Sequence, residues 1–411
     1  MSLAKNNHFK TILTIRLLTN IGDSVFFIVS MWYIANHADL AIYAGIAVFL
    51  FTLPETLLIF MGPLVDRINP RKLLMLSTGG QIIVHGLIVF LFLINAITIP
   101  FLLVLLMFSA FFSAITYPIE ETMLPQIVQG HELVKANSIF TIAYKIVDSL
   151  FDGLSGILLV VGTASLLYEI NLFIFVIPLI ILKVIKFNIK SEEEEKFDFA
   201  SYKSDLKEGL MFVLTSNIKL MLIPLVFVNF FTAINTVALL FFSNTLTETA
   251  STYGILLAVS GVGSMLGAIL VNKLEQNILP GRILTFGLLL NGLMWLCMTF
   301  SSAEYLAYLF LFLASFCQGA YNIIFASLFQ VMTPVNLLGR VNTCVESVIS
   351  FAMPIGAIIG GILIDIIPLQ LVMSFNTISL VITSIIFFLN KNIYDLDKID
   401  RIHAESTATH P

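Results

Sequence analysis

Charge is scarce in this chain. Only 11% of its 411 residues are charged, against 58% that are hydrophobic, and the mean hydropathy is +0.98. A soluble globule of that composition would have to turn most of its apolar surface to water, so that class is excluded. No nucleic-acid partner is expected. The three cysteines, Cys297, Cys317 and Cys344, sit in or beside apolar runs and are expected to pack rather than pair. The six histidines are scattered, with no cluster of His, Asp or Ser of the kind an enzyme or a metal site needs. A nucleotide-binding glycine loop is missing too, which argues against a built-in ATPase. The first apolar run is too long, and carries too much internal charge, for a cleavable signal peptide.

What the chain does have is long, continuously apolar runs. A hydrocarbon core about 30 Å thick needs roughly 20 helical residues. In lipid only helices or closed barrels satisfy every backbone group, and the absence of strict alternation selects helices. Twelve spans are expected, near 10–36, 40–65, 72–95, 99–124, 134–161, 165–188, 216–245, 252–274, 282–301, 304–331, 340–366 and 369–390.

Lysine and arginine fall at alternate junctions. One side receives Lys5 and Lys10, then Arg67, Arg71 and Lys72, and then Lys135. It also takes the block from Lys183 to Lys219, then Lys273 and Arg282, Arg340, and Lys391 to Arg401. The junctions around His37, Asn95, Gly162, Thr247, Ser302 and Pro368 receive none. By the positive-inside rule this predicts an even number of spans with both termini cytoplasmic, in the cell membrane. Arg16 and Lys145 alone remain outside this count, and both lie well inside spans.

The polar stretch Lys190–Glu208, with its run Glu192–Glu195, divides the spans six and six. The expected organisation is a six-helix bundle over 1–189, a cytoplasmic loop over 190–210 that could carry an amphipathic surface helix, a second bundle over 211–390, and a frayed cytoplasmic tail over 391–411. The halves echo each other: Tyr117-Pro118 before Leu124-Pro125-Gln126 matches Tyr321-Asn322 before Phe329-Gln330. A repeat of about 200 residues implies two pseudo-symmetric bundles, with a site between them near mid-membrane.

Gly62-Pro63-Leu64-Val65-Asp66-Arg67-Ile68-Asn69-Pro70-Arg71-Lys72, between the second and third spans, resembles the loop signature of the major facilitator superfamily. Gly62, Leu64, Asp66, Arg67, Arg71 and Lys72 match it; Asn69 and Pro70 replace a glycine and a basic residue. The resemblance implies the all-α major facilitator fold and a cytoplasmic ion-pair latch involving Asp66 and the basic residues. Ile21-Gly22-Asp23, and Leu338-Gly339-Arg340-Val341 leading into Ala352–Ala357, resemble the branch of macrolide-efflux proteins and enterobactin exporters. That branch is similar to proton-coupled drug antiporters, which implies a proton gradient as energy source, no bound cofactor, and a monomer. Where such antiporters carry G-P-x-x-G-G, this chain reads Phe151-Asp152-Gly153-Leu154-Ser155-Gly156, with a carboxylate in place of the proline.

An ionisable group at the bilayer centre costs at least about 2.5–3.5 kcal/mol and is expected to face a wet cavity or a partner. Arg16 and Asp23 share a face of span one, span two holds Glu55, and span four ends with Glu120 and Glu121. Lys145, Asp148 and Asp152 form one stripe on span five at i, i+3 and i+7. Lys145 can neutralise one aspartate and leave the other to carry protons. The candidates for proton coupling and substrate contact are Asp148, Asp152, Asp23, Glu55 and Glu121, with Lys145 and Arg16 as charge partners. His85 is read as a satisfied buried histidine. The second half offers Asn229, Asn235, Gln318, Tyr321 and Asn322 as cavity lining, beside glycine faces at Gly261, Gly263 and Gly267 and at Gly356, Gly360 and Gly361 that suit close helix packing. The expected function is proton-coupled export of amphipathic small molecules by alternating access. Movement of a siderophore, lipid or nutrient on the same scaffold, or a non-transporting membrane enzyme or sensor, stands as the alternative.

Overall fold

A computed structural model describes residues 6–65, 69–128, 162–184, 199–247, 249–334 and 337–396, with scattered positions between 132 and 159. The helices are α1 (Asn7–His37), α2 (Ile42–Val65), α3 (Pro70–Leu93), α4 (Ile99–Ile127), α5 (Ala164–Val184), α6 (Phe199–Thr215), α7 (Ile218–Leu246), α8 (Ala250–Glu275), α9 (Pro280–Thr299), α10 (Glu304–Val331), α11 (Leu338–Ile366), α12 (Leu369–Leu389) and the short α13 (Lys391–Tyr394). Among the described residues ten helices are long and apolar enough to cross a membrane, and α2 adds the apolar segment Ile42–Pro54. Of the expected fifth span, 134–161, only scattered positions are described, and each of these is helical.

Helix starts follow local chemistry. Asn6 caps α1 by accepting the Phe9 N–H at 3.2 Å. At the loop signature, Asn69 caps α3, its Oδ1 accepting the Arg71 and Lys72 N–H groups at 3.1 and 3.3 Å, and Pro70 occupies the first helical position. An asparagine cap followed by proline suits a helix start, because the cap satisfies orphan donors and proline has none to lose. The two departures from the signature therefore form one capping unit.

The chain divides into two compact units, Met1–Phe197 with Thr249–Ala258, and Asp198–Glu248 with Val259–Pro411. In the first, α1 packs on α4 and α5, α3 on the same pair, and α2 on α4. Its core joins Phe9, Ile12 and Ile15 to Leu74, Ile119 and Met123. The opposite face of α3 exposes Leu76, Ile83, Leu87 and Phe90, a stripe at helical spacing that belongs in lipid.

In the second unit α7 packs on α11 and α12, and α9 on α10 and α12. A Cβ on Gly263 would lie 2.6 Å from the Phe312 carbonyl oxygen, and one on Gly319 would press on the Ser264 backbone, so α8 and α10 touch backbone to backbone. Gly356 and Gly360 of α11 sit in the same way on Phe230 and Ile234 of α7. In lipid, where burying apolar groups between helices gains little, such close contact supplies the attraction.

Two polar segments carry described helices. Helix α6 runs across the boundary drawn at 210, with Val213 buried while Leu210, Met211 and Leu214 are exposed. At the start of the expected tail α13 folds and docks, while 397–411 lie outside the described residues: Ile393 is 2% exposed, Gly281 packs beneath its carbonyl, and Arg282 Nη2 lies 3.7 Å from Asp395 Oδ1. One apolar anchor and a glycine notch outweigh the polar composition there, since an exposed ion pair adds little.

Candidate functional site

Asp23 is the centre of the described site. It lies midway along α1, is 7% exposed, and receives donors from two other helices. Gln81 Nε2 of α3 donates to Oδ1 at 3.0 Å; Ser113 Oγ and Tyr117 Oη of α4 donate to Oδ2 at 2.5 and 2.6 Å. Hydroxyl contacts this short are those of charge-assisted bonds to a carboxylate. The Tyr117 hydroxyl also lies 3.2 Å from Asn20 Oδ1.

Two turns away, Arg16 Nη1 pairs with Glu120 Oε2 at 3.1 Å, the Glu120 side chain fully buried. Its guanidinium sits 4.2 Å from the centre of the Tyr117 ring and donates to the Tyr117 carbonyl at 3.3 Å. Tyr117 thus touches both charged groups, the ion pair through its ring and backbone and Asp23 through its hydroxyl. Arg16 pairs with Glu120, which is not among the expected coupling residues. Tyr117, Ser113 and Gln81 were also missed as ligands of Asp23.

Behind Asp23 lies a second polar layer. His85 is fully buried between the rings of Phe26 and Phe175, at 4.6 and 4.7 Å, with Nδ1 2.7 Å from the Gln81 carbonyl. Among the described residues His85 Nε2, Gln81 Oε1 and both amide atoms of Asn171 have no hydrogen-bond partner. The expectation of a satisfied histidine therefore holds for one ring nitrogen and fails for the other. An unmet buried polar atom costs about 1–3 kcal/mol.

The loop signature is only partly within view. Gly62 falls in the last turns of α2, while Asp66 and Arg67 lie outside the described residues. Arg71 Nε and Nη2 donate to the Leu182 carbonyl at 3.2 and 2.7 Å, with Nη2 also 3.4 Å from the Lys183 carbonyl. Arg71 therefore clamps the C-terminal end of α5, where orphan carbonyls and the negative end of the helix dipole favour a cation. Lys72 is exposed.

Lys145, Asp148 and Asp152 lie outside the described residues, and so do the side chains of Glu55 and Glu121. In the second unit the expected lining residues are not gathered by hydrogen bonds among the described residues. Asn229 and Asn235 donate to carbonyls one turn back on their own helix, those of Leu225 and Phe231, both at 2.9 Å. Tyr321 is 3% exposed and accepts the Asn291 amide of α9 at 3.2 Å, which makes it an internal tie. Gln318 is half-buried and Asn322 exposed.

Residues 2–410 match the family described as transmembrane secretion effector. The chain belongs to this family of major facilitator transporters. As a transmembrane secretion effector it is a multi-pass membrane protein and a secondary transporter of small molecules, not an enzyme. It is 21% identical over 373 residues to the multidrug efflux pump Tap of Mycolicibacterium fortuitum, a match covering 89% of this chain and 91% of that protein. Its fold resembles that of the nucleoside transporter NupG, with TM-score 0.72 at 11% identity over 92% of this chain and 98% of that one. A bacterial homologue of the human lysosomal transporter Spinster gives TM-score 0.70 at 16% identity over 99% of both chains.

Proposed function

We propose that this transmembrane secretion effector exports amphipathic, drug-like small molecules in exchange for protons by alternating access, with both termini in the cytoplasm. The observation that carries the reading is the Asp23 carboxylate at the meeting of α1, α3 and α4, held by Gln81, Ser113 and Tyr117. An ionised carboxylate accepts all three bonds. A protonated one turns donor at one oxygen, so a donor facing that oxygen must reorient, Gln81 at Oδ1 or one of Ser113 and Tyr117 at Oδ2. Because Tyr117 also rests on Arg16, a proton on Asp23 changes the footing of the Arg16–Glu120 pair and hence the fit of α1 on α4. Asp148, Asp152, Glu55 and Glu121 share the coupling and recognise cationic groups, with Lys145 as their charge partner. The likeness to Tap supports export, and the Lys and Arg asymmetry of the junctions supports the orientation.

The test is transport in proteoliposomes under an imposed pH gradient, with dyes, macrolides and siderophores as substrates. Gradient-driven flux of a dye or macrolide, lost in Asp23→Asn and reduced in Asp148→Asn and Asp152→Asn, is the expected result. Flux of a siderophore alone would move the assignment to that solute. Flux undiminished in all three variants would remove the coupling.

A further inference from the structure

Gln81 and His85 of α3 and Asn171 of α5 all lie against the same turn of α1. A Cβ on Gly22, the residue before Asp23, would lie 3.2 Å from Asn171 Oδ1 and 2.6 Å from the Phe175 ring. His85 touches that Phe175 ring at 4.7 Å between centroids and Phe26 at 4.6 Å, and Gln81 reaches back to Asp23 at 3.0 Å. These contacts bring α3 and α5 around one turn of α1, residues 22–26.

The chemistry of the unmet atoms is specific. A carbonyl only accepts, so the 2.7 Å contact with the Gln81 carbonyl puts the hydrogen of a neutral His85 on Nδ1 and leaves Nε2 a bare lone pair. The unmet groups are then three acceptors, His85 Nε2, Gln81 Oε1 and Asn171 Oδ1, and one donor, Asn171 Nδ2. Rotating the Asn171 amide changes nothing, since both its atoms lack partners. An apolar guest would satisfy none of them. One water, which donates twice and accepts twice, can meet two of these acceptors and the donor at once, and buried water favours sites with two to four polar partners.

We propose that α1, α3 and α5 enclose an internal water-binding site lined by Gln81 Oε1, His85 Nε2 and the Asn171 amide, and that this water extends the Asp23 network as a proton path. The path rests on the proton-coupled reading above; the site does not. The titratable groups next to it are Asp23 of α1, which Gln81 contacts, Tyr117 of α4, which contacts Asp23, and Tyr168 of α5, whose ring meets Phe26 and whose hydroxyl lies 2.9 Å from Ser30 Oγ.

X-ray hydroxyl-radical labelling of the full-length purified protein tests the site, because bound water is where radicals form. Phe26 and Phe175, 1% and 0% exposed, are expected to label about tenfold faster than Phe242 and Phe387, which are 2% and 0% exposed. In His85→Leu/Asn171→Leu the rate at Phe175 is expected to fall to that of Phe387. Labelling of Phe26 and Phe175 as slow as that of Phe387 in the unaltered chain overturns the site without need of any variant. In proteoliposomes the same double variant is expected to slow gradient-driven export about tenfold and to spare substrate exchange at equal pH. Full export in the variant overturns the proton path. Failure of the unaltered chain to respond to a pH gradient overturns the proton-coupled reading instead, and the labelling result then stands alone.

Discussion

Arg71 of the loop signature donates twice to the carbonyl of Leu182, at 3.2 and 2.7 Å, and so ties the start of α3 to the end of α5. Hydrogen bonds from a charged group contribute about 1.5–3 kcal/mol when buried, and Arg71 is half-buried. Arg71→Ala is therefore expected to destabilise the first unit by about 1–2 kcal/mol. Arg71→Lys should recover only part of this, because an ammonium lacks the planar fork. Thermal unfolding in detergent measures it, and equal Tm values for all three proteins would contradict the clamp.

The Arg16–Glu120 pair allows a sharper comparison. Removing one partner of a buried ion pair strands the other and costs about 3–5 kcal/mol, whereas replacing both with apolar groups is often neutral. Glu120→Leu alone is expected to lower the yield of monodisperse protein strongly, and Arg16→Met/Glu120→Leu to restore most of it. A double variant no better than the single one would show that each charge matters for a separate reason.

These residues also mark where reading the chain stops. Span positions came from hydropathy and from the alternation of Lys and Arg, both properties of the chain taken in order. The helices α1 to α4 begin and end within about three residues of the expected limits. Glu120 and Glu121 are neighbours about 100° apart on a helix, and nothing local says which faces the bundle. The partner of Arg16 is 104 residues away and the acceptor of Arg71 is 111 away, so both depend on helix packing. Asp23 was legible because a carboxylate in an apolar run is conspicuous; Tyr117, Ser113 and Gln81 were not, because such residues are common in spans.

Tyr117→Phe keeps the ring under Arg16 and deletes only the hydroxyl that reaches Asp23. Fold and expression are expected to be unchanged, while gradient-driven transport falls about tenfold, the factor that the loss of one strong hydrogen bond supplies. Normal transport by this variant in proteoliposomes would remove Tyr117 from the coupling.

Close packing of α8 on α10 leaves no room for a side chain at Gly263 or Gly319. Gly319→Val is expected to separate the helices and cost several kcal/mol, seen as loss of the folded peak in size-exclusion chromatography, on the order of a badly overpacked core. Gly79 and Gly86 of α3, where an added Cβ meets nothing within 4 Å, serve as controls and should tolerate alanine.

The most direct measurement is proton release from the purified protein in weakly buffered detergent when a transported dye is added. The unaltered protein is expected to release protons, and Asp23→Asn to release far fewer while still binding the dye by fluorescence. Equal proton release from the two proteins would contradict the account, because the proton exchanged for substrate would then be carried elsewhere.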